Sequence, residues 1–215
     1  MAALVVTISS SYGAGGSIVG PRVAEELGLP YWDRAWAPEA VARAGGEAAR
    51  EGLSLEEHAD GVLRRLFTAA ARMPAAVGAI APPPTAPLSD EERFRAANEA
   101  GILDLVRRGG GVIRGRGAAA FLGRQPGCLH VRLDGPEATR LALGMRIEGI
   151  DEQEARRRLV ATDRTREQYV RRFYSRDVHD PELYDLTLDT GETDLAACTG
   201  IIVEAARTHM NRQAT

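Results

Sequence analysis

The chain contains no lysine, because all 27 basic residues in its 215 positions are arginine. We attribute the overall bias toward arginine, alanine and glycine to a GC-rich genome. It nevertheless means that any charge neutralising a bound phosphate must come from arginine, a metal ion or backbone amides. Arginine suits that task, since its planar fork grips phosphate oxygens bidentately and stays protonated.

Other scarcities narrow the class of protein. Cys128 and Cys198 are too few for a disulfide framework or a zinc site, and we expect both to be reduced packing residues. A net charge of −3 argues against a general nucleic-acid binder. The alanine-rich stretch at 67–81 is interrupted by an arginine, a proline and a glycine, which excludes a membrane span. No charged segment precedes the first apolar run, so we expect no signal peptide and a cytoplasmic protein.

The first 28 residues carry a strand, a glycine-rich loop and a helix in succession. Residues 4–8 are an apolar run typical of a buried strand, residues 9–16 are rich in Gly and Ser, and residues 17–27 have helical periodicity. Glycines let the backbone turn and approach an anion closely, while the first amides and the dipole of a helix attract its charge. This order predicts a phosphate cradle.

The cradle departs from the P-loop pattern G-x-x-x-x-G-K-[ST] at two positions. With Gly15 as the second glycine and Ser17 as the hydroxyl residue, Ser10 replaces the first glycine and Gly16 replaces the lysine. The Oγ atom of Ser17 is a candidate Mg²⁺ ligand. The candidate residues for the donor phosphates are Ser10, Tyr12, Gly13, Ala14, Gly15, Gly16 and Ser17.

Strand-like runs alternate with helical segments along the rest of the chain. Further strands are expected at 31–32, 112–113, 129–133 and 186–188, and helices at 37–80 (two or three), 89–108, from Pro136, from Asp151 and at 194–207. A proline-rich turn lies at 82–87. This alternation predicts an α/β fold with a parallel sheet covered by helices on both faces. Ligands would then bind at the carboxyl edge of the sheet, where residues 9–17, Asp33 and residues 114–117 fall.

Several segments together resemble the cytidylate kinase-like family, a branch of the nucleoside monophosphate kinases. They are Thr7-Ile8-Ser9, Tyr12-Gly13-Ala14-Gly15-Gly16, Leu29-Pro30-Tyr31-Trp32-Asp33-Arg34, Phe94-Arg95-Ala96-Ala97-Asn98, residues 109–118 and Tyr184-Asp185-Leu186-Thr187-Leu188-Asp189-Thr190. The resemblance covers about residues 4–207 and is weakest at 45–88. It implies one P-loop kinase-like domain over 1–215, with a helical monophosphate-binding insert at about 37–108 and a short lid at about 156–180. The implied reaction is Mg²⁺- and ATP-dependent phosphorylation of a pyrimidine nucleoside monophosphate.

The resemblance also implies the residues on the acceptor side. Asp33 would hold metal-bound water or the acceptor, with Arg34 beside it, although Asp33 is equally well interpreted as a helix N-cap. Arg116 matches the arginine that cytidylate kinases use on the substrate monophosphate. Those kinases carry an aspartate after it, where this chain has Gly117, and the departure weakens the case for CMP.

Eight arginines between positions 156 and 176 form the second cationic group. Arg157, Arg164 and Arg171 are spaced by seven, so a continuous helix would place them on one face about 10 Å apart. Asp163-Arg164-x-Arg166-x-x-Tyr169-x-Arg171 resembles a lid that closes over the phosphates, which assigns Arg164 and Arg171 to catalysis. The alternative is a solvated arginine–glutamate face, and we assign residues 156–158 to the surface.

Two other functions fit the same residues. Relatives usually carry Arg-Glu at the Ser10-Ser11 position, so this chain could be a degenerate kinase that binds nucleotide as a sensor or scaffold. A kinase with a non-nucleotide acceptor is also compatible. The partners are a nucleotide donor and a small-molecule acceptor, and we make no prediction of oligomeric state. His130 lies in a strand-like run and is expected to be buried and satisfied, and Trp32 to stack on a base or join the core.

Overall fold

A computed structural model of the chain describes residues 3–33 and 90–213. Two compact units are present: Met1–Arg34 with Ile102–Thr215, and Ala35–Gly101. The helices predicted at 37–80, the turn at 82–87 and Arg34 lie outside the described residues. The monophosphate-binding insert therefore stays a prediction.

Five parallel strands form one sheet. They are β1 (Leu4–Ser10), β2 (Tyr31–Trp32), β3 (Gly110–Arg114), β4 (Cys128–Asp134) and β5 (Leu186–Asp189). Their order is β2-β3-β1-β4-β5, and every neighbouring pair is parallel. The central strand β1 is an unbroken apolar run over its first half, as expected of a parallel strand that is buried on both faces.

Six helices and a short 3-10 turn at Pro181–Leu183 belong to the described residues. The helices are α1 (Gly16–Leu27), α2 (Asp90–Arg107), α3 (Ala118–Leu122), α4 (Glu137–Glu148), α5 (Glu152–Tyr174) and α6 (Leu195–Gln213). Pro136 is the N-cap of α4 and not its first helical residue, a shift of one position. Asp151, where a helix was expected to begin, is the N-cap of α5, because its Oδ1 accepts the Glu154 amide hydrogen at 2.8 Å.

The core lies on both faces of the sheet. On one face Ile8 and Val131 pack with Val19 of α1 and Ile202 of α6. On the other face the strands pack with α2 and α3, in a cluster of Val5, Ile113, Cys128, Ile102 and Leu122. Each fully buried side chain of this size contributes about 1.5–3 kcal/mol. The predicted α/β fold with helices on both faces is confirmed.

His130 and the two cysteines are packing residues. The Thr7 hydroxyl donates to His130 Nδ1 at 2.7 Å, and His130 Nε2 lies 2.7 Å from the Gly123 carbonyl, which can only accept. Nε2 therefore carries a hydrogen, and burial lowers the pKa of the ring, which favours the neutral form whose Nδ1 accepts the Thr7 hydroxyl. Cys128 and Cys198 are buried free thiols, and burial raises the pKa of each. Among the described helices, none has both the length and the apolar character to cross a membrane.

Candidate active site

The loop Ser11–Gly15, hereafter the phosphate loop, joins β1 to α1 at the carboxyl edge of the sheet. Gly13 and Gly15 adopt the left-handed conformation, with φ of 71° and 74°. Gly15 is the N-cap of α1 and provides no side-chain cap, and its carbonyl accepts the Ile18 and Val19 amides at 2.9 and 3.0 Å. The first amides of α1 have no intrahelical acceptor, so this end of the helix favours an anion.

Glycine is required in this loop for steric as well as conformational reasons. A Cβ atom at Gly13 would lie 1.8 Å from the backbone oxygen of Arg140, and one at Gly15 would lie 2.5 Å from Cδ2 of Leu195. Both distances are far below van der Waals contact. Helix α4 and the start of α6 therefore close tightly around the loop.

The two departures from the P-loop pattern are physically coupled. A Cβ atom at Gly16 would lie 2.4 Å from the Oγ atom and 2.8 Å from the Cβ atom of Ser10. Ser10 thus fills the space through which a lysine side chain at position 16 would leave the backbone. The next neighbour in that direction is Cδ of Arg114, at 3.6 Å.

Three arginines from other elements donate hydrogen bonds to the loop and to the end of β1. Arg132 of β4 donates to the Ser11 hydroxyl at 2.9 Å, Arg140 of α4 to the Tyr12 carbonyl at 2.8 Å, and Arg166 of α5 to the Ser10 carbonyl at 2.8 Å. The sequence reasoning did not assign any of the three to the site. Two signals were available, namely the position of Arg132 near the carboxyl end of a predicted strand and the presence of Arg166 in the lid-like motif.

Asp163 joins the long helix α5 to the phosphate loop. Its Oδ1 accepts the Tyr12 amide hydrogen at 2.7 Å, and its Oδ2 accepts a hydrogen bond from Arg140 at 2.8 Å. The Tyr12 ring is buried and its hydroxyl donates to Glu148 at 2.9 Å. Tyr12 therefore contributes to loop packing through its ring, and its backbone carries the link to α5.

Asp33 and Arg114 form an ion pair where β2 and β3 end. Arg114 Nε and Nη2 lie 2.9 and 2.7 Å from one oxygen of Asp33, Oδ2, which also accepts the Tyr31 hydroxyl at 3.1 Å. The two charged side chains are only 19% and 16% exposed. Burial lowers the pKa of Arg114, but the hydrogen bonds and charge of Asp33 outweigh burial and raise it. Burial, together with Asp33, raises the pKa of Tyr31. Asp33 thus lies at the predicted edge with Oδ2 already engaged.

Arg116 occupies a strained backbone position. Gly115, Arg116 and Gly117 have φ of 73°, 65° and 63°, three consecutive left-handed residues. For a residue with a Cβ atom this conformation costs about 1–2 kcal/mol. Arg116 is 8% exposed as a residue, and its guanidinium carbon lies 5.7 Å from the centroid of the Trp32 ring. A Cβ atom at Gly117 would approach Cε2 of Tyr174 to 2.6 Å, so the aspartate seen in cytidylate kinases does not fit here without rearrangement.

Arg164 and Arg171 lie on exposed positions of α5. Within residues 3–33 and 90–213 neither side chain makes a hydrogen bond or ion pair, whereas the residues predicted as surface, 156–158, pair with neighbouring glutamates. The segment predicted as a lid is most of one continuous helix and the turn that follows. Ser17 is also exposed, in the first turn of α1.

The class of the protein follows from this architecture. A parallel sheet with helices on both faces and a glycine loop between its central strand and first helix agrees with the P-loop kinase fold that the sequence predicts. The cytidylate kinase-like family matches residues 5–192, and the chain belongs to that family. The resemblance seen in the sequence is confirmed.

Individual relatives are similar to the chain over different shares of their length. A cytidylate kinase of Aeropyrum pernix is 26% identical over 200 residues, covering 93% of this chain and 97% of the relative. A uronate isomerase of Corynebacterium glutamicum is 31% identical over 117 residues, which are 54% of this chain, and the match spans only 22% of the relative's length. The crystal structure of an uncharacterized protein from Eubacterium ventriosum has 17% identity and a TM-score of 0.64, covering 95% of this chain and 98% of that one. That likeness shows a shared fold.

Proposed function

We propose that the protein transfers a phosphoryl group from ATP to a nucleoside monophosphate, with CMP or a related pyrimidine nucleotide as the acceptor. Membership of the cytidylate kinase-like family supports a kinase for a nucleotide or another small molecule. The observation that carries the proposal is the phosphate loop itself, which has left-handed glycines and leads directly into the N-terminus of α1.

The residues around the loop fit a phosphate chain. Backbone amides at the start of α1 would bind donor oxygens, and Arg132, Arg140 and Arg166 hold the loop in position through the hydrogen bonds described above. Phosphoryl transfer requires alignment and charge compensation more than covalent participation by the protein. The fixed loop would supply the alignment, and the amides at the start of α1 would supply part of the charge compensation.

Magnesium would add charge neutralisation at the donor phosphates. The described residues contain no cluster of three or more His, Cys, Asp or Glu side chains suited to a metal. This fits Mg²⁺, which commonly binds through one or two protein oxygens, substrate phosphates and water. We assign Ser17 Oγ to it. Asp33 would act through water or through rearrangement, because its Oδ2 already accepts Arg114 and Tyr31.

Arg116 is the main candidate for binding the phosphate of the acceptor. Its guanidinium is buried beside the face of Trp32, at the end of the strand adjacent to β1, and an arginine grips a phosphate bidentately. We propose that it binds the acceptor phosphate, together with Arg34. A Cβ atom at position 117 would lie 2.6 Å from Cε2 of Tyr174, so this site does not accommodate the aspartate of cytidylate kinases, and an acceptor other than CMP is compatible with it.

One observation favours the alternative of a nucleotide sensor without catalysis. Ser10 blocks the exit of a lysine side chain from position 16, so the loop lacks the usual phosphate-binding ammonium group. A sensor would bind ATP through the same loop and transfer nothing.

A coupled assay with ATP and Mg²⁺ across the nucleoside monophosphates tests the proposal, alongside thermal unfolding with ATP. ATP at ~100 times Kd should add about 2.7 kcal/mol of stability, which is a rise in Tm of about 5–11 °C for a chain of this size. Gly15→Val should abolish the rise. No rise with any nucleotide would refute both kinase and sensor, and a rise without transfer to any nucleoside monophosphate would leave the sensor and the kinase with a non-nucleotide acceptor.

Variants then separate the two sides of the site. Arg116→Ala should mainly raise KM for the acceptor. Arg164→Ala and Arg171→Ala should lower kcat by ~10³–10⁵ with little change in ATP binding, if these side chains reach the transferring group. Arg108→Ala, at an exposed position outside the site, is the matched control. Unchanged transfer in the Arg164→Ala/Arg171→Ala double variant would contradict the lid assignment.

A further inference from the structure

Four arginines lie close to the phosphate loop and the residues that flank it, and they differ in what they bind. Arg132, Arg140 and Arg166 each donate a hydrogen bond to an atom of residues 10–12. Their guanidinium groups are therefore committed to holding the loop. The hydrogen bonds of Arg114 go to Asp33 instead, and Arg114 makes none to the loop.

Arg114 lies in the direction that a side chain at position 16 would take. The space next to Gly16 is bounded by Ser10 and then by Cδ of Arg114, which would be 3.6 Å from a Cβ atom there. Val112, two residues before Arg114 in β3, packs in the same core cluster as Val19 of α1. Because side chains alternate along a strand, Arg114 extends from the sheet face that α1 covers.

We propose that Arg114 supplies the side-chain cation for the donor phosphates that the loop lacks, and that Asp33 is the residue that positions it. This inference rests on the proposed function only in requiring that the loop binds the phosphates of a nucleotide. Ser10 and Gly16 belong to the same arrangement, since together they keep a second cation out of this space.

The ion pair explains how a long side chain could serve in place of a lysine at position 16. Asp33 binds Nε and Nη2 of Arg114 through one oxygen, and Nη1 takes no part in these bonds. The pair therefore fixes the plane of the guanidinium before a ligand arrives, which reduces the entropy lost on binding. A lysine added at position 16 would place a like charge beside Arg114, so the two cations are alternatives.

The test is the affinity of the full chain for ATP and for inorganic tripolyphosphate, measured by calorimetry. Arg114→Met should weaken both ligands by about 10- to 100-fold, the range expected for losing a charge-assisted hydrogen bond. Arg108→Met is the control and should leave both affinities unchanged. Asp33→Asn/Arg114→Met removes both members of the pair, so it tests the same loss without leaving a carboxylate unpaired if Arg114→Met fails to fold.

A rescue distinguishes a lost phosphate contact from general damage. Ser10→Gly/Gly16→Lys restores the P-loop pattern and should recover most of the lost affinity in the Arg114→Met background. Unchanged affinity in Arg114→Met, or no recovery with the lysine, would overturn the inference, as would a wild type with no affinity for either probe. If Arg114→Met loses ATP affinity and the wild type phosphorylates no acceptor, the result would support this inference and refute the proposed kinase activity.

Discussion

Substituting Gly13 by alanine should damage the protein far more than the same change at another left-handed glycine. Gly13 has φ of 71°, and its added methyl group would lie 1.8 Å from the Arg140 carbonyl oxygen. Gly28, the C-cap of α1, has φ of 65° and nothing within 4 Å of the corresponding position. The two substitutions therefore share the backbone strain and differ in the steric contact.

The expected losses in the free energy of unfolding follow from the backbone strain and from the steric contact. A left-handed alanine costs about 1–2 kcal/mol, which is the whole expected loss for Gly28→Ala. At Gly13 the contact must also open from 1.8 Å to at least 3.0 Å, a displacement of 1.2 Å between the loop and backbone of α4. Overpacking of this kind adds about 1–3 kcal/mol. The total for Gly13→Ala is then about 2–5 kcal/mol.

Urea unfolding of the two variants and wild type measures the difference directly, provided that the m value is unchanged. The displacement also disturbs the Arg140 hydrogen bond to Tyr12, so Gly13→Ala should reduce the stabilisation by ATP, whereas Gly28→Ala should retain it. If Gly13→Ala and Gly28→Ala lose the same free energy of unfolding within about 0.5 kcal/mol, then α4 moves away from the added methyl group at little cost, and the steric argument is refuted.

Two further outcomes concern the ion pairs near the loop. Burial raises the pKa of Asp134, but the charge and hydrogen bond of Arg132 outweigh burial and lower it. The ionised Asp134 therefore stabilises the folded state fully above the ordinary aspartate pKa of about 4, and this stabilisation is lost as the pH falls below that value. Asp134→Asn should remove this acid-dependent part of the unfolding free energy between pH 5 and 2, and an unchanged profile would contradict the pairing. Asp163→Asn replaces the carboxylate that Arg140 binds with a neutral amide, and it should lower the free energy of unfolding by about 1–3 kcal/mol. Asp104→Asn, in an exposed pair, should cost less than about 1 kcal/mol, and similar losses at both positions would count against a special role for Asp163.

The strands and the phosphate loop could be predicted because their signals are local. The apolar run of β1, the glycines at 13 and 15 and the cap at Asp151 each depend on neighbouring residues only. Local sequence also placed Asp33 and Arg114 at the same edge of the sheet. Their pairing needed the strand order, in which β2 and β3 are neighbours, and the sequence does not specify that order.

The contacts around the loop were missed because they join residues far apart in the chain. Arg132 is separated from Ser11 by 121 positions, and Arg166 from Ser10 by 156. The resemblance to a lid segment included Arg166 but assigned only Arg164 and Arg171 to catalysis, because the contact of Arg166 with Ser10 appears only in the folded chain. The roles of Arg164 and Arg171 stay predictions.

The hydrogen bond between the Tyr12 amide and Asp163 makes one amide sensitive to the separation of α5 from the phosphate loop. The Tyr12 amide hydrogen points at a carboxylate of α5, so it reaches solvent only when that helix separates from the loop. Its exchange with deuterium therefore measures the free energy of that separation at a single site. Because Asp163 and Arg166 hold the middle of a 23-residue helix, the centre and the loop should exchange as one cooperative unit, with faster exchange confined to the two ends of α5.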